Sequence, residues 1–295
     1  MLYLLLALSA QVLNALVVLA DKYLISSRLV VKPVVYAFLI AVLSGVVVLI
    51  LPFGVIAIPT VTIILLSLAV SFAYIFSILF LYKSLAISDA SDVAPILGAV
   101  SALSALLFDY LFLGGHPVGN FLGGFVFLVA GTALMSYFRF SGRSLAYVIF
   151  SGVLFGLSSV LVKMIFLETT FWNGFFWSRM GNVVAALIFL IPSVNRRVIF
   201  GNILSSSFKT KFFVLANKTL AGFAFLLILL AINLGDVSVV NAIGGVQFVI
   251  LIIFALIFSK KFPGYFYESV HRRMTVVQKV TATILISVGY ALLFI

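Results

Sequence analysis

Apolar residues fall in ten runs, near 2–20, 34–51, 60–82, 92–113, 120–138, 145–166, 173–192, 211–232, 236–259 and 277–295, separated by short polar or Pro/Gly breaks. Each is close to the ~20 residues a helix needs to cross the hydrocarbon of a bilayer. The runs are about twice the length of a barrel strand and do not alternate apolar with polar, so helices are expected rather than strands. The pattern predicts an all-α integral membrane protein with ten transmembrane helices.

The pattern is also written twice. Setting Val153–Phe166 under Val12–Ile25 aligns a valine, two leucines and a lysine at one offset, with Lys22 on Lys163. Leu49-Ile50-Leu51-Pro52 then answers Phe189-Leu190-Ile191-Pro192. Asp89, Ser91, Val93, Ile96 and Gly98 answer Asp236, Ser238, Val240, Ile243 and Gly245, and Gly131, Ala133 and Leu134 answer Gly289, Ala291 and Leu292. The matches keep their order, and the offset grows where the second half has longer loops, as insertions between helices would make it. Two five-helix repeats follow, 1–141 and 142–295. Five is odd, so the second enters the membrane from the opposite side and the repeats are inverted.

Composition narrows the class. At 65% hydrophobic and 8% charged residues, with mean hydropathy +1.36, there is too little polar surface to cover a soluble globule. The absence of cysteine excludes disulfides, thiolate metal sites and cysteine nucleophiles, and two histidines, His116 and His271, offer little to a metal. No metal or other cofactor is expected. The net charge of +11 is scattered over short loops rather than gathered in a patch, which argues for lipid phosphates and against nucleic acid as its partner.

Position decides what the charge does. Fifteen Lys and Arg lie in the odd-numbered loops and adjoining helix ends, whereas the even loops and the termini hold none. The positive-inside rule then puts the odd loops in the cytoplasm and both termini outside the cytoplasmic membrane. Loops 193–210 and 260–276 are the longest of these. MLYLLLALSA lacks a basic leader and a small-residue cleavage site, and is read as a retained first span.

With these features the chain resembles the drug/metabolite transporter superfamily, specifically its ten-helix EamA-type branch. The resemblance rests on the lysine near the end of each repeat's first helix (Lys22, Lys163). It rests also on the tight link Ala86-Ile87-Ser88-Asp89-Ala90-Ser91 before Pro95, and on a glycine midway through each fifth helix (Gly131, Gly289). It implies an exporter of small metabolites such as amino acids. The Gly-Glu common where the fourth helix ends in that family is Gly114-Gly115 and Ser259-Lys260 here, and many members have both termini inside.

Polar groups in mid-membrane are costly and point to pairing, water or function. One set comprises Asp109, Lys163, Arg179 and Asn241. Asp109 is the carboxylate well inside a predicted span, expected to pair with Arg179 or Lys163 as an outer gate or to titrate during transport. A mid-depth set comprises Gln11, Asn14, Tyr74, Ser158, Ser159 and Gln247, with Gln11 and Asn14 three apart on one helix face. Asn217 and Lys218 sit about two turns in from loop 7, where Lys218 could hold a carboxylate or phosphate. The same groups could equally join helices by hydrogen bonds or snorkel to the interface. Trp172 and Trp177 read as interfacial anchors. Gly98, Ser101, Ala102 and Ala105, with Ala242, Gly244 and Gly245, read as close-packing surfaces.

These features favour a secondary transporter of a small metabolite, a zwitterion or anion, working by alternating access. No Walker A sequence, HExxH, G-x-S-x-G or thiol is present, so neither ATP hydrolysis nor an intramembrane enzyme is expected. No repeated filter segment suggests a channel. A lipid flippase on the same scaffold is the alternative, since Lys163, Arg179 and Lys218 could steer a headgroup. A homodimer is left open.

Overall fold

A computed structural model describes residues 2–26, 33–88, 90–115, 142–205, 207–244 and 273–292, with scattered positions from 123 to 134 and from 247 to 254. Among them there is no strand. The helices are α1 (Leu2–Ser26), α2 (Pro33–Leu43, continuing as a 3-10 segment Ser44–Phe53), α3 (Val61–Leu85), α4 (Ala90–Leu113) and α5 (Gly142–Glu168). They continue with α6 (Phe171–Phe189), α7 (Ser193–Ser205), α8 (Phe208–Leu234), α9 (Val237–Ile243) and α10 (Arg273–Leu292).

Six helical stretches are long and apolar enough to cross a membrane, or seven if α6 and the start of α7 form one bent span. The chain is an all-helical, multi-pass membrane protein. Much of predicted run 120–138 and about half of 236–259 lie outside the described residues, as does loop 260–276 up to residue 272. Two expectations are corrected. The first span does not stop at residue 20, because its helix continues through Asp21 and Lys22 to Ser26. The stretch expected as loop 7 is helical over Ser193–Ser205 and turns by 109° from α6 just after Pro192. Its Ile199 is buried in the core with Val198 packed partly against it, while Val194, Arg196, Arg197 and Phe200 are exposed.

The two halves of the chain interleave. Helix α1 lies along α8 and α5 lies along α3 and α4, while α3 also packs on α6 and α9 on α4. Small residues let these backbones approach. A Cβ on Gly156 would fall 2.6 Å from the Ser101 carbonyl and 2.7 Å from the Ala105 nitrogen, so α4 and α5 touch backbone to backbone there. One turn earlier Gly152 faces Val100 in the same way. This is the close-packing surface expected of Ser101 and Ala105.

Serines tie the same helices. Ser77 of α3 and Ser151 of α5 each donate to the other's carbonyl at 2.8 Å, and Ser84 and Ser144 meet through their hydroxyls at 2.8 Å. Ser71 donates to the Ser67 carbonyl, with the Ser178 carbonyl of α6 at 3.2 Å. In an apolar surround such bonds stabilise by about 0.6 kcal/mol each. The link 54–60 is held to α6 by Trp177, whose indole N–H donates to the Ala57 carbonyl, and by Asn173, which accepts from the Ala57 N–H.

Candidate functional site

Because Tyr3 lies against Gly235 and Asp21 against Lys218, α1 and α8 run antiparallel, which defines two ends of the bundle. Lys22 and Lys163 sit at opposite ends and make the same contact. Lys22 Nζ donates to the carbonyls of Leu85 (2.9 Å) and Ser88 (2.8 Å), at and just beyond the C-terminus of α3. Lys163 Nζ donates to those of Ile232 (2.8 Å), Asn233 (3.3 Å) and Gly235 (2.9 Å), at the C-terminus of α8. Leu85 and Ile232, like Ser88 and Gly235, correspond at the offset that sets Asp89 on Asp236. Each lysine neutralises the negative end of a helix dipole and the carbonyls that the last turn leaves open.

At the Lys22 end a polar knot fills the interior. Asp21 is 4% exposed and forms an ion pair with Lys218, itself 7% exposed, at 2.6 and 2.9 Å to the two carboxylate oxygens. Oδ1 also accepts from the Tyr36 hydroxyl (3.0 Å) and the Asn217 amide (2.6 Å), and Oδ2 accepts from the Tyr82 hydroxyl (2.8 Å). Lys218 in turn reaches the Tyr82 oxygen at 3.0 Å and stands 4.2 Å from the centre of the Tyr36 ring. Both charges are therefore fully met, the condition under which a buried pair is tolerated. Asn217 and Lys218 were sequence candidates. Asp21, Tyr36 and Tyr82 were not, although Tyr23-Leu24-Ile25 beyond Asp21 are apolar enough to prolong the helix.

Eight residues along α3 from Tyr82, about 12 Å at the helical rise, Tyr74 borders a narrow cavity. Its walls are Val70 and Tyr74 of α3, Phe155, Ser158, Ser159 and Val162 of α5, Arg179 of α6, and Phe225, Ile228, Leu229 and Ile232 of α8. Arg179 is 6% exposed, with its guanidinium carbon 4.6 Å from the Phe225 ring centre and 5.3 Å from that of Tyr74. Its Nε has no hydrogen-bond partner, and among the described residues no carboxylate pairs with it. An arginine at the centre of a membrane helix costs about 2.5–3.5 kcal/mol on insertion scales. The two aromatic faces recover part of this.

The other candidates lie elsewhere. Asp109 does not pair with Arg179 or Lys163 in this conformation; it accepts from the Ser238 hydroxyl at 3.0 Å. A Cβ on Gly115 would fall 2.5 Å from the Asp109 carboxylate, and Gly114 has φ +67°, so both positions are shaped for glycine. Asn241 joins three helices. Its Oδ1 accepts from Ser159 (3.2 Å) and Ser101 (3.4 Å), and its amide donates to the Val237 carbonyl (2.8 Å). Gln11 is buried with its amide 4.0 Å from the place of a Cβ on Gly244, whereas Asn14 and Gln247 are half-buried. None of these three borders the cavity. Tyr74, Ser159 and Arg179 are thus brought together, and Asn217 with Lys218 forms a separate group.

No family model matches the chain, and no curated protein does. Solved structures do match in fold. One, described only as a crystal structure of a protein, superposes with a TM-score of 0.62 at 17% identity over 96% of each chain. At that identity the likeness is one of architecture, and it extends over nearly the whole length.

Proposed function

We propose that the chain is a secondary transporter of a small metabolite across the cytoplasmic membrane, an exporter by its resemblance to the EamA-type branch. In this reading two inverted five-helix repeats work by alternating access. The observation that carries it is the cavity walled by helices of both halves, α3 from the first and α5, α6 and α8 from the second, with a buried cation facing it. The matched pairings α1–α8 and α5–α3, and the two lysine caps at opposite ends, are what inverted repeats would produce.

In this mechanism the Asp21–Lys218 knot is the closed gate of one end. It plugs the space between α1, α2, α3 and α8 beyond Tyr74, and it must separate for the cavity to open there. Each partner would then need water, which rocking of the halves admits. At the other end the position answering Asp21 is Val162, a cavity wall with no charge to lock.

The absence of native cysteine makes the test direct. Single cysteines at Val162 and at Ile78, between the cavity and the knot, are labelled with a membrane-impermeant maleimide from each side of sealed vesicles. Alternating access predicts that Asp21→Asn raises labelling of Ile78→Cys from the Lys22 side and lowers labelling of Val162→Cys from the other. Labelling of both positions from both sides at once would instead describe a continuous pore and overturn the reading.

A further inference from the structure

We infer that the central cavity, which in this conformation has room for about one water, widens during transport to take a monocarboxylate with an apolar body, its carboxylate held by Arg179. The inference rests on the transport reading for its purpose but on the cavity alone for its chemistry.

The charge balance of the interior points to it. Lys218 is neutralised by Asp21, Asp109 is met by Ser238, and Lys163 is engaged by three carbonyls. Arg179 is the buried cation that no carboxylate answers among the described residues, and its Nε is left without a partner at the wall of a cavity. A buried cation left open in this way is completed by an anion that enters, and a guanidinium presents two parallel N–H groups to a carboxylate. The complex is electroneutral with one negative charge.

The remaining walls set the rest of the ligand. Among the described residues no second cation borders the cavity, which disfavours a phosphate dianion, and no carboxylate does, so the ammonium of an amino acid would enter without a counter-charge. Ser158 and Ser159 already donate to the Phe155 carbonyl, and Ser159 also to Asn241. Apart from the Tyr74 hydroxyl, which interacts with Arg179, what is left is apolar: Val70, Phe155, Val162, Phe225 and the aliphatic side chains of α8. The site selects an anionic head and an uncharged, apolar tail.

The test is binding to the full chain in detergent or nanodiscs, read by thermal shift. Phenylacetate and 4-methylpentanoate are the probes; phenylacetamide, phenylalanine and phenyl phosphate are the comparisons. The carboxylates should stabilise the protein and the amide should not, with phenylalanine and phenyl phosphate at least tenfold weaker. Arg179→Lys should weaken the carboxylates about tenfold or more and Arg179→Gln should abolish their effect, while both variants melt at or above the parent temperature. Phenylacetate should also slow maleimide modification of Val162→Cys, a readout independent of melting. Equal stabilisation by acid and amide, retained binding in Arg179→Gln, or no binding of either carboxylate to the parent protein would each overturn the site. Carboxylate binding that depends on Arg179, without carboxylate flux in reconstituted vesicles, would overturn the transport reading and leave the site standing.

Discussion

Lys218 and Arg179 are both cations buried in the same bundle, and the fold treats them oppositely. Lys218 is enclosed by Asp21, Tyr82 and the Tyr36 ring, with Asn217 completing the shared carboxylate. Arg179 has the Tyr74 and Phe225 rings and an electrostatic partner in the Tyr74 hydroxyl, with its Nε unpartnered beside a cavity. A satisfied charge rigidifies the place where it sits, because removing either partner strands the other. An unsatisfied one stores a demand that a ligand can meet. The contrast sets a fully compensated charge and an open one about two helical turns apart.

The sharpest way to break that contrast is to strand Lys218. Asp21→Ala should destabilise the protein by about 3–5 kcal/mol, the cost of leaving a buried charge unpaired. The double variant Asp21→Asn with Lys218→Met should recover most of it, as measured by chemical unfolding in detergent; no recovery would show that the two side chains act separately. Next in size, Tyr82→Phe removes a hydroxyl that touches both charges and should cost about 1.5–3 kcal/mol. Tyr74→Phe, on the same helix but outside the knot, should cost less, and the reverse order would shift the lock toward the cavity.

A smaller effect is expected at the two helix ends. Lys22→Met and Lys163→Met should each cost about 1 kcal/mol, by losing the cation at a helix C-terminus. Near-equal losses would fit one role written twice; a large inequality would mean that one lysine has a second task. The smallest effect on stability belongs to Arg179→Met, about zero or slightly stabilising, since it relieves an unmet charge. A fall as large as that of Asp21→Ala would show that Arg179 is structural after all.

The matching positions of Lys22 and Lys163 were legible in the sequence, but their capping of helix ends was not, since Lys163 was expected to pair with Asp109. A cation one helix turn before the end of the first helix recurs at a fixed offset, and so do the residues whose carbonyls it reaches. Small residues at Ser101 and Ala105 announced close packing for a similar reason, since lack of a side chain is itself the signal. Asp21 was not legible. The polar pair Asp21-Lys22 reads as the edge of an apolar run, yet Lys22 leaves the helix end for a carbonyl cap while Asp21, adjacent but turned about 100°, faces the interior. The helical character of 193–205 was hidden because its composition is that of a basic loop, and the packing of Ile199 and Val198 on the core holds it in place.

Residue types and their order determined by themselves that this chain lies in a membrane as helices, because apolar runs of that length have no other stable form in hydrocarbon. Which charge meets which was decided only by the tertiary structure. Asp21 and Lys218 are 197 positions apart and adjacent solely because α1 lies antiparallel along α8. Arg179 is open for the complementary reason: among the described residues α3, α5 and α8 bring aromatic, aliphatic and hydroxyl side chains to it, and no carboxylate. Sequence lists the charges, but long-range packing determines which are compensated, since electrostatic energy in a medium of low dielectric depends on distance rather than order along the chain.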